Sequence, residues 1–489
     1  MDLSPVLHCL FANFKTIFIV TCLKARTTGG EAQAGPGRDE TVRRITVEER
    51  VSHYERTHVA LVGMGNVGTG VARLLLDLGD RTARYAGRTL WINHIVVRDL
   101  HKPRAADLPT NVLTNDLQRL LNDPQVTVVA HLVGGVEPAR TILLKLLESG
   151  KDVVTANKAL LAEHGPELFD RARELGRSIA FEAAVAGGIP IVANLSQCLC
   201  ANRVLQMDGI LNGTCNFIVT KMDEERADYR AALTEAQQRG FAEPDPTLDI
   251  DGSDAAQKLA ILAHLAYGAR VSWRQIPRRG IEQLKLDDFA RARVLGYRIK
   301  LIACSHIGDD GLHLLVSPML VRIGTPLAEV RENYNAVRVV GDAVGPVFFH
   351  GQGAGAMPTA SAVVADMIDT AVGRTALTFQ TLKLWSETEA PIEMARPETF
   401  AARFYIRFIV SNRPGVLAQL AGVLGKHKVS IATVYQESHD VLVPDDVPLV
   451  VLTHRTSQEA VRRAVDEIAG LTVVQNDYEL LPILDEQFA

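Results

Sequence analysis

From His58 the chain reads HVALVGMGNVGTGVARLLLDLG: a short apolar run, a turn holding Gly63, Gly65 and Gly68, then apolar positions at helical spacing as far as Leu78. That order predicts a strand, a glycine turn and a helix. The first two glycines permit a tight turn and close backbone approach, and the N–H groups at the helix start, on Asn66, Val67 and Gly68, suit a pyrophosphate. A glycine turn serving structure alone is the plainer alternative. Apolar runs at 90–100 (LWINHIVVRDL) and 126–135 (VTVVAHLVGG), and the strand of KDVVTANKALLA ending at Asn157 and Lys158, continue the alternation of strand and helix. Such alternation predicts an open, mostly parallel α/β sheet that binds its ligand outside the strands' carboxyl ends. Gly134 then lies in a second turn near the cofactor. Lys158 stands at the ligand edge, unless it is only an exposed lysine at a helix start. At the end of the second strand Asp99 favours the free 2′-hydroxyl of NAD, whereas Arg98 and Lys102 suit the 2′-phosphate of NADP.

The stretch GFAEPDPTLDIDGSDAAQKLAILAHLAYG, residues 240–268, is rich in ionisable groups and then becomes a helix with almost no polar side. Ala255, Ala256, Leu259, Ala260, Ile261, Leu262 and Ala263 surround Lys258, so the helix is predicted to be largely buried. Asp254 and Lys258, four apart, have the spacing of a surface salt bridge. That reading needs a polar face, and a lysine on a buried helix is rare unless paired, so a cleft-facing functional lysine is the sharper expectation. From Arg403 the pattern gives strand, Asn-Arg-Pro-Gly turn, helix, strand, then strand, helix and strand.

Composition narrows the picture. A chain of 489 residues with 47% hydrophobic content can bury more than one core. A net charge of −5 without a long basic run leaves no electrostatic footprint for nucleic acid. Six scattered cysteines without C-x-x-C or Cys/His spacing argue against a disulfide framework or structural zinc and suit a reducing compartment, the cytoplasm. Residues 6–23 (VLHCLFANFKTIFIVTCL) mimic a signal sequence or anchor, but Lys15 interrupts them and no basic n-region precedes them. Residues 1–56 are therefore expected to be a non-folding extension, with no membrane role.

The motifs GMGNVG, TANKALLA, FEAAVAGGIPIV, LNGTCNFI, EPDPTLDIDGSDAAQK and GQGAGAMPTASAVVAD, in this order, resemble the homoserine dehydrogenases over residues 57–373. The resemblance implies a Rossmann-type nucleotide-binding domain, residues 57–180 plus 352–375, with an inserted α+β substrate and dimerisation domain at 181–351. A connector at 376–402 would lead to a βαββαβ unit at 403–485 that resembles an ACT domain, the arrangement of a monofunctional enzyme with a regulatory tail. The implied activity is reversible NAD(P)H-dependent reduction of L-aspartate 4-semialdehyde to L-homoserine, on the route to threonine, methionine and isoleucine. NADP is the expected cofactor, with NAD possible, in a homodimer or homotetramer. Lys258 would be the acid/base with Asp254 beside it, Asp249 would lie with the substrate, and Glu243 would bind the substrate ammonium. Carbonyls of Val185, Gly187 and Ile189, with Glu182 nearby, would hold Na⁺ or another monovalent cation, and Gly353 would approach the cofactor. L-Threonine would bind the tail at Asn412, Arg413 and Gly415. Cys215 departs from the family, where threonine is common. Two alternatives stay open: an enzyme like aspartate-semialdehyde dehydrogenase with a cysteine nucleophile, and a nonenzymatic NAD(P)-dependent amino-acid sensor.

Overall fold

The computed structural model describes residues 54–382, 392–436 and 445–485, apart from 78, 105, 107 and 110. The apolar stretch 6–23 and the rest of the expected extension up to residue 53 lie outside them. Among the described residues no helix is long and apolar enough to cross a membrane.

The first half contains β1 (Glu55–Val62), α1 (Asn66–Asp77), β2 (Arg88–Val96), β3 (Leu113–Thr114), β4 (Val126–His131), β5 (Asp152–Thr155), α2 (Lys158–Glu174) and β6 (Ile179–Ala180). The strands lie in the order β3-β2-β1-β4-β5-β6, all pairs parallel. The strand order reverses between β1 and β4, which opens a crevice at their carboxyl ends. β2 stops at Val96, short of the apolar run read from the sequence. Beyond it the Asp99 carboxylate accepts from the His101 N–H at 2.8 Å, so the segment curls into a loop instead of extending the strand.

The chain then crosses to a second sheet through β7 (Val204–Ile210), α3 (Gly213–Glu224), α4 (Ser253–Tyr267), β8 (Tyr297–Gly308), β9 (Gly311–Arg322), β10 (Tyr334–Gly341) and β11 (Gly345–Gln352). α4 is buried without interruption from Ser253 to His264, as its lack of a polar face requires. Gly252 at φ +85° starts it and Gly268 at φ +68° ends it, the Gly268 N–H donating to the His264 carbonyl. α5 (Ala356–Ala371) returns to the first sheet and packs on α1 so closely that a Cβ on Gly70 would stand 2.8 Å from the Ala360 methyl. α6 (Arg374–Leu382) follows at once, in the segment read from the sequence as connector.

The C-terminal part runs β12 (Ala401–Ser411), α7 (Val416–Lys426), β13 (Ile431–Gln436), β14 (Asp446–Thr453), the short β15 (Thr456–Ser457), α8 (Gln458–Ala469) and β16 (Val474–Ile483). The sequence reads this part as a separate unit, yet β16 lies parallel to β9, pairing Ile483 with Leu320, and the two halves form one continuous sheet. Tyr405, Val450, Leu452, Leu481 and Ile483 share the main core with residues of the preceding half. Arg407 and Asp288 form a buried ion pair across the junction at 2.7 Å, with the Tyr405 hydroxyl donating to the same carboxylate. Removing the tail would strip that core and take both of these partners from Asp288.

Candidate active site

The glycine turn separates its glycines by what each would meet. Gly63 has φ +101°, and a Cβ there would fall 2.7 Å from the Leu132 carbonyl oxygen. A Cβ on Gly68 would fall 2.5 Å from the Gly63 oxygen. These two are glycine because the first and fourth strands meet the helix start too closely for a side chain. Around Gly65 and Gly134 nothing lies within 4 Å of a Cβ position. The open cradle and the N–H groups at the start of α1 fit a dinucleotide pyrophosphate. Arg98 and Lys102 are exposed on the loop after β2. Arg104, which the sequence reading passed over, closes that loop by donating to the Lys102 carbonyl at 2.8 Å.

A cavity of about 840 Å³ extends from Val67, Leu132 and Gly134 to the acidic loop with Glu243, Asp245 and Asp249, and Asp254 and Lys258 line it. Lys258 is a tenth exposed and donates to the Leu211 carbonyl at 2.6 Å and to Asp254 Oδ2 at 2.7 Å. The pair is therefore a salt bridge, but a buried one and not the solvated surface pair that the spacing alone suggests, and Lys258 faces the cleft. Lys158 Nζ lies 2.8 Å from Asp254 Oδ1. It is thus drawn into the carboxylate cluster, a partner that its place at the ligand edge, read from the sequence, did not name. One buried carboxylate holds two ammonium groups. Burial alone would raise the Asp254 pKa, but the charges and hydrogen bonds of Lys258 and Lys158 hold it well below the usual carboxylate range. Reciprocally, Asp254 raises the pKa of Lys158 against its desolvation.

Asn212 aligns the carboxylates. Its Nδ2 donates to Asp249 Oδ1 at 2.8 Å and to Asp254 Oδ2 at 2.9 Å, while its Oδ1 caps α3 by accepting from the Cys215 N–H. An Asn before a helix was the only available sequence signal. Burial and the nearby Asp254 charge push Asp249 above its ordinary pKa. Glu243 is exposed at the cavity mouth. Asn157 caps α2 at Leu160 and donates to the Val133 and Gly135 carbonyls, locking the Gly134 turn beside Lys158.

Cys215 is fully buried, with its thiol donating to the Asp249 carbonyl at 3.2 Å. Burial, then the charges of Asp249, Asp254 and Asp251, push its pKa up, the reverse of an activated nucleophile. Cys215 is thereby unsuited to the nucleophile's part in the acyl-cysteine alternative.

Glu182 and Gly353 each make contacts that the sequence alone did not announce. Glu182 spends its carboxylate on the helix start after Pro190, accepting from the Val192 and Ala193 N–H groups at 2.8 Å each. Burial pushes its pKa up to about 7 despite those bonds. The Ile189 carbonyl already accepts from the Ile191 N–H at 2.8 Å. Gly353 lines the cavity, and its lack of a side chain is required by Asn335, whose amide carbon would stand 1.9 Å from a Cβ there. The turn through Gly187 packs on the same spot, since a Cβ on Gly187 would be 2.5 Å from the Gly353 oxygen. Asn412, Arg413 and Gly415 lie exposed together, with Gly415 at φ +90° before α7.

Comparison with known proteins agrees with this arrangement. Residues 63–182 match the NAD-binding domain of homoserine dehydrogenase, residues 190–368 match homoserine dehydrogenase itself, and residues 404–470 match the ACT domain. A homoserine dehydrogenase of Synechocystis is 40% identical over 87% of this chain and 99% of its own, and that of Bacillus subtilis is 39% identical over 85% and 96%. The crystal structure of a homoserine dehydrogenase from Thiobacillus denitrificans superposes with a TM-score of 0.82 at 38% identity, covering 88% of this chain and 99% of that one. A hyperthermophilic archaeal homoserine dehydrogenase in complex with NADPH superposes at 0.54, with 27% identity over 64% of this chain and 97% of that one. With its glycine cradle, its acidic loop and its lysine-bearing buried helix joined in one cavity, this chain belongs to the homoserine dehydrogenase family.

Proposed function

We propose that the chain reduces L-aspartate 4-semialdehyde to L-homoserine, and reverses the reaction, with Lys258 as acid/base in the 840 Å³ cavity. The observation that carries this reading is the single carboxylate of Asp254 holding both Lys258 and Lys158. Bound nicotinamide supplies hydride to the aldehyde carbon or takes it from the alcohol. Two of the three Lys258 N–H groups point at Leu211 and Asp254, which leaves the third for the aldehyde oxygen. As the carbon is reduced, that proton passes to the oxygen and completes the hydroxyl; in reverse the amine takes it back. Lys158, two-fifths exposed, stands on the solvent side of Asp254 and holds its second oxygen, so the carboxylate does not swing away. Glu243 and Asp249 receive the substrate ammonium. The measurement that tests the reading is homoserine oxidation with NADP⁺ and NAD⁺ in parallel, with and without threonine.

NADP is the preferred cofactor on this reading, with NAD accepted through Asp99. Arg98→Ala is expected to raise the KM for NADPH by about tenfold, the size of a lost charge-assisted hydrogen bond, and to leave that for NADH within about twofold. An equal effect on both would refute the assignment of Arg98 to the 2′-phosphate. For the monovalent cation the carbonyls of Val185, Gly187 and Ile189 are suitable hard donors, with the Glu182 carboxylate nearby.

The tail is read as the threonine sensor, acting in a homodimer or homotetramer in the cytoplasm. Its link to the catalytic half supports this. Arg279 pairs with Glu479 of β16, and the neighbouring Ile281 N–H donates to the Ile250 carbonyl just before α4. Gly415→Val, which forces a branched side chain to φ +90°, is expected to raise the threonine concentration for half-inhibition by about tenfold or more, judged against the variant's own uninhibited rate. A wild-type enzyme indifferent to threonine would end the effector reading.

A further inference from the structure

Asn335 is 1% exposed at the start of β10 and lines the catalytic cavity. Its Nδ2 donates at 3.1 Å to the Leu211 carbonyl, the same oxygen that takes Lys258 Nζ at 2.6 Å. The amide orientation is fixed by that bond, since turning it over would set oxygen against oxygen. Its Oδ1 is buried and has no hydrogen-bond partner in the protein. A buried acceptor left unmade is costly, so a donor from a ligand is the expected complement.

Position selects the donor. A Cβ on Gly213 would approach Oδ1 to 3.3 Å, and one on Gly353 would approach it to 2.3 Å, so the oxygen occupies a notch kept open by two glycines. Gly213 starts the helix behind the acidic loop, whereas Gly353 leads into α5, which packs on the nucleotide turn. The notch therefore lies where the nicotinamide end of a cofactor meets the substrate. The substrate ammonium has carboxylates for partners in Glu243 and Asp249, while the nicotinamide carboxamide brings an N–H₂ that needs a neutral acceptor.

We propose that Asn335 is a positioning residue: Nδ2 fixes the carbonyl that aims Lys258, and Oδ1 accepts from the carboxamide N–H₂ of the bound nicotinamide. This rests on the reading of the cavity as the dehydrogenase site.

The test uses the full-length protein and a cofactor analogue, 3-acetylpyridine adenine dinucleotide phosphate, in which a methyl ketone replaces the carboxamide and the N–H donor is gone. Dissociation constants for NADP⁺ and the analogue are measured by titration calorimetry on wild type, Asn335→Ala and Asn335→Asp. The preference of wild type for NADP⁺ over the analogue is expected to fall by about 3- to 10-fold in Asn335→Ala, the size of one hydrogen bond. Asn335→Asp keeps an acceptor in the notch, so it is expected to retain most of the preference while losing kcat, because its oxygen repels the Leu211 carbonyl. If Asn335→Ala weakens both ligands by the same factor, the amide serves packing only and the proposal falls. Should Asn335→Ala fail to fold, loss of the preference in Asn335→Asp overturns it and its retention together with a lowered kcat supports it. Homoserine oxidation by the wild type is assayed beside these titrations, so an enzyme inactive on homoserine would be recognised separately.

Discussion

Lys258→Met is expected to fold and to lose about 10²- to 10⁴-fold in kcat, the range of positioned proton transfer. Methionine fills the volume of the lysine stem in the buried helix α4, and Asp254 keeps Lys158 as a partner, so the loss of stability is expected to be modest. The cradle at Gly63 to Gly68 is untouched, and cofactor dissociation constants should stay within about threefold, less than one hydrogen bond. A purely structural salt bridge predicts the opposite: a lower melting temperature, with near-normal turnover in the folded fraction. Melting temperature and kcat are therefore measured on one preparation. A folded Lys258→Met enzyme that keeps more than half of wild-type kcat would exclude the acid/base role.

The elements that position this site were legible because their signals are local. Strand, glycine turn and helix lie within residues 58–78, and the missing polar face of α4 announced both its burial and the oddity of Lys258. The names of the carboxylates and of the reaction came from a resemblance, since spacing alone left salt bridge and acid/base both open. What the sequence could not carry are pairings across the fold. Lys158 starts α2 in one sheet layer and Asp254 starts the turn of a helix in another, and nothing in either segment points to the other. Asn335 looks like any polar residue entering a strand until Gly213 and Gly353 are seen to make room for it. The same holds for β16 beside β9: alternation marks each as a strand, but edge-to-edge registry depends on where the whole tail docks. Glu182 is a further case, since a carboxylate near carbonyls and a carboxylate capping a helix start read alike in one dimension.

Asp254→Asn is expected to be the most damaging single change to stability at this site, about 3 to 5 kcal/mol at pH 7, the cost of removing one partner from a buried ion cluster. It leaves the ammonium groups of Lys158 and Lys258 facing each other with a neutral amide between them. The effect has a pH signature. Asp254 titrates below its unfolded value, near about 3.9, so its contribution is full above that pH and is lost as pH falls through the lower folded value. Lys158 titrates above its unfolded value, near about 10.4, because of Asp254, so its contribution is present below that pH and is lost as pH rises through the folded value. The difference in unfolding free energy between wild type and Asp254→Asn should therefore be widest across neutral pH and shrink at both extremes. Urea unfolding in buffers spanning that range measures it, and a difference independent of pH would mean that charge is not what the carboxylate contributes. Adding Lys158→Met to Asp254→Asn removes one of the two unpaired cations and is expected to recover part of the stability. Catalysis should not follow, because the ammonium of Lys258 still lacks the oxygen that orients it toward the aldehyde. If kcat returned together with stability in the double variant, Asp254 would be a structural counter-charge and no part of the proton-transfer geometry.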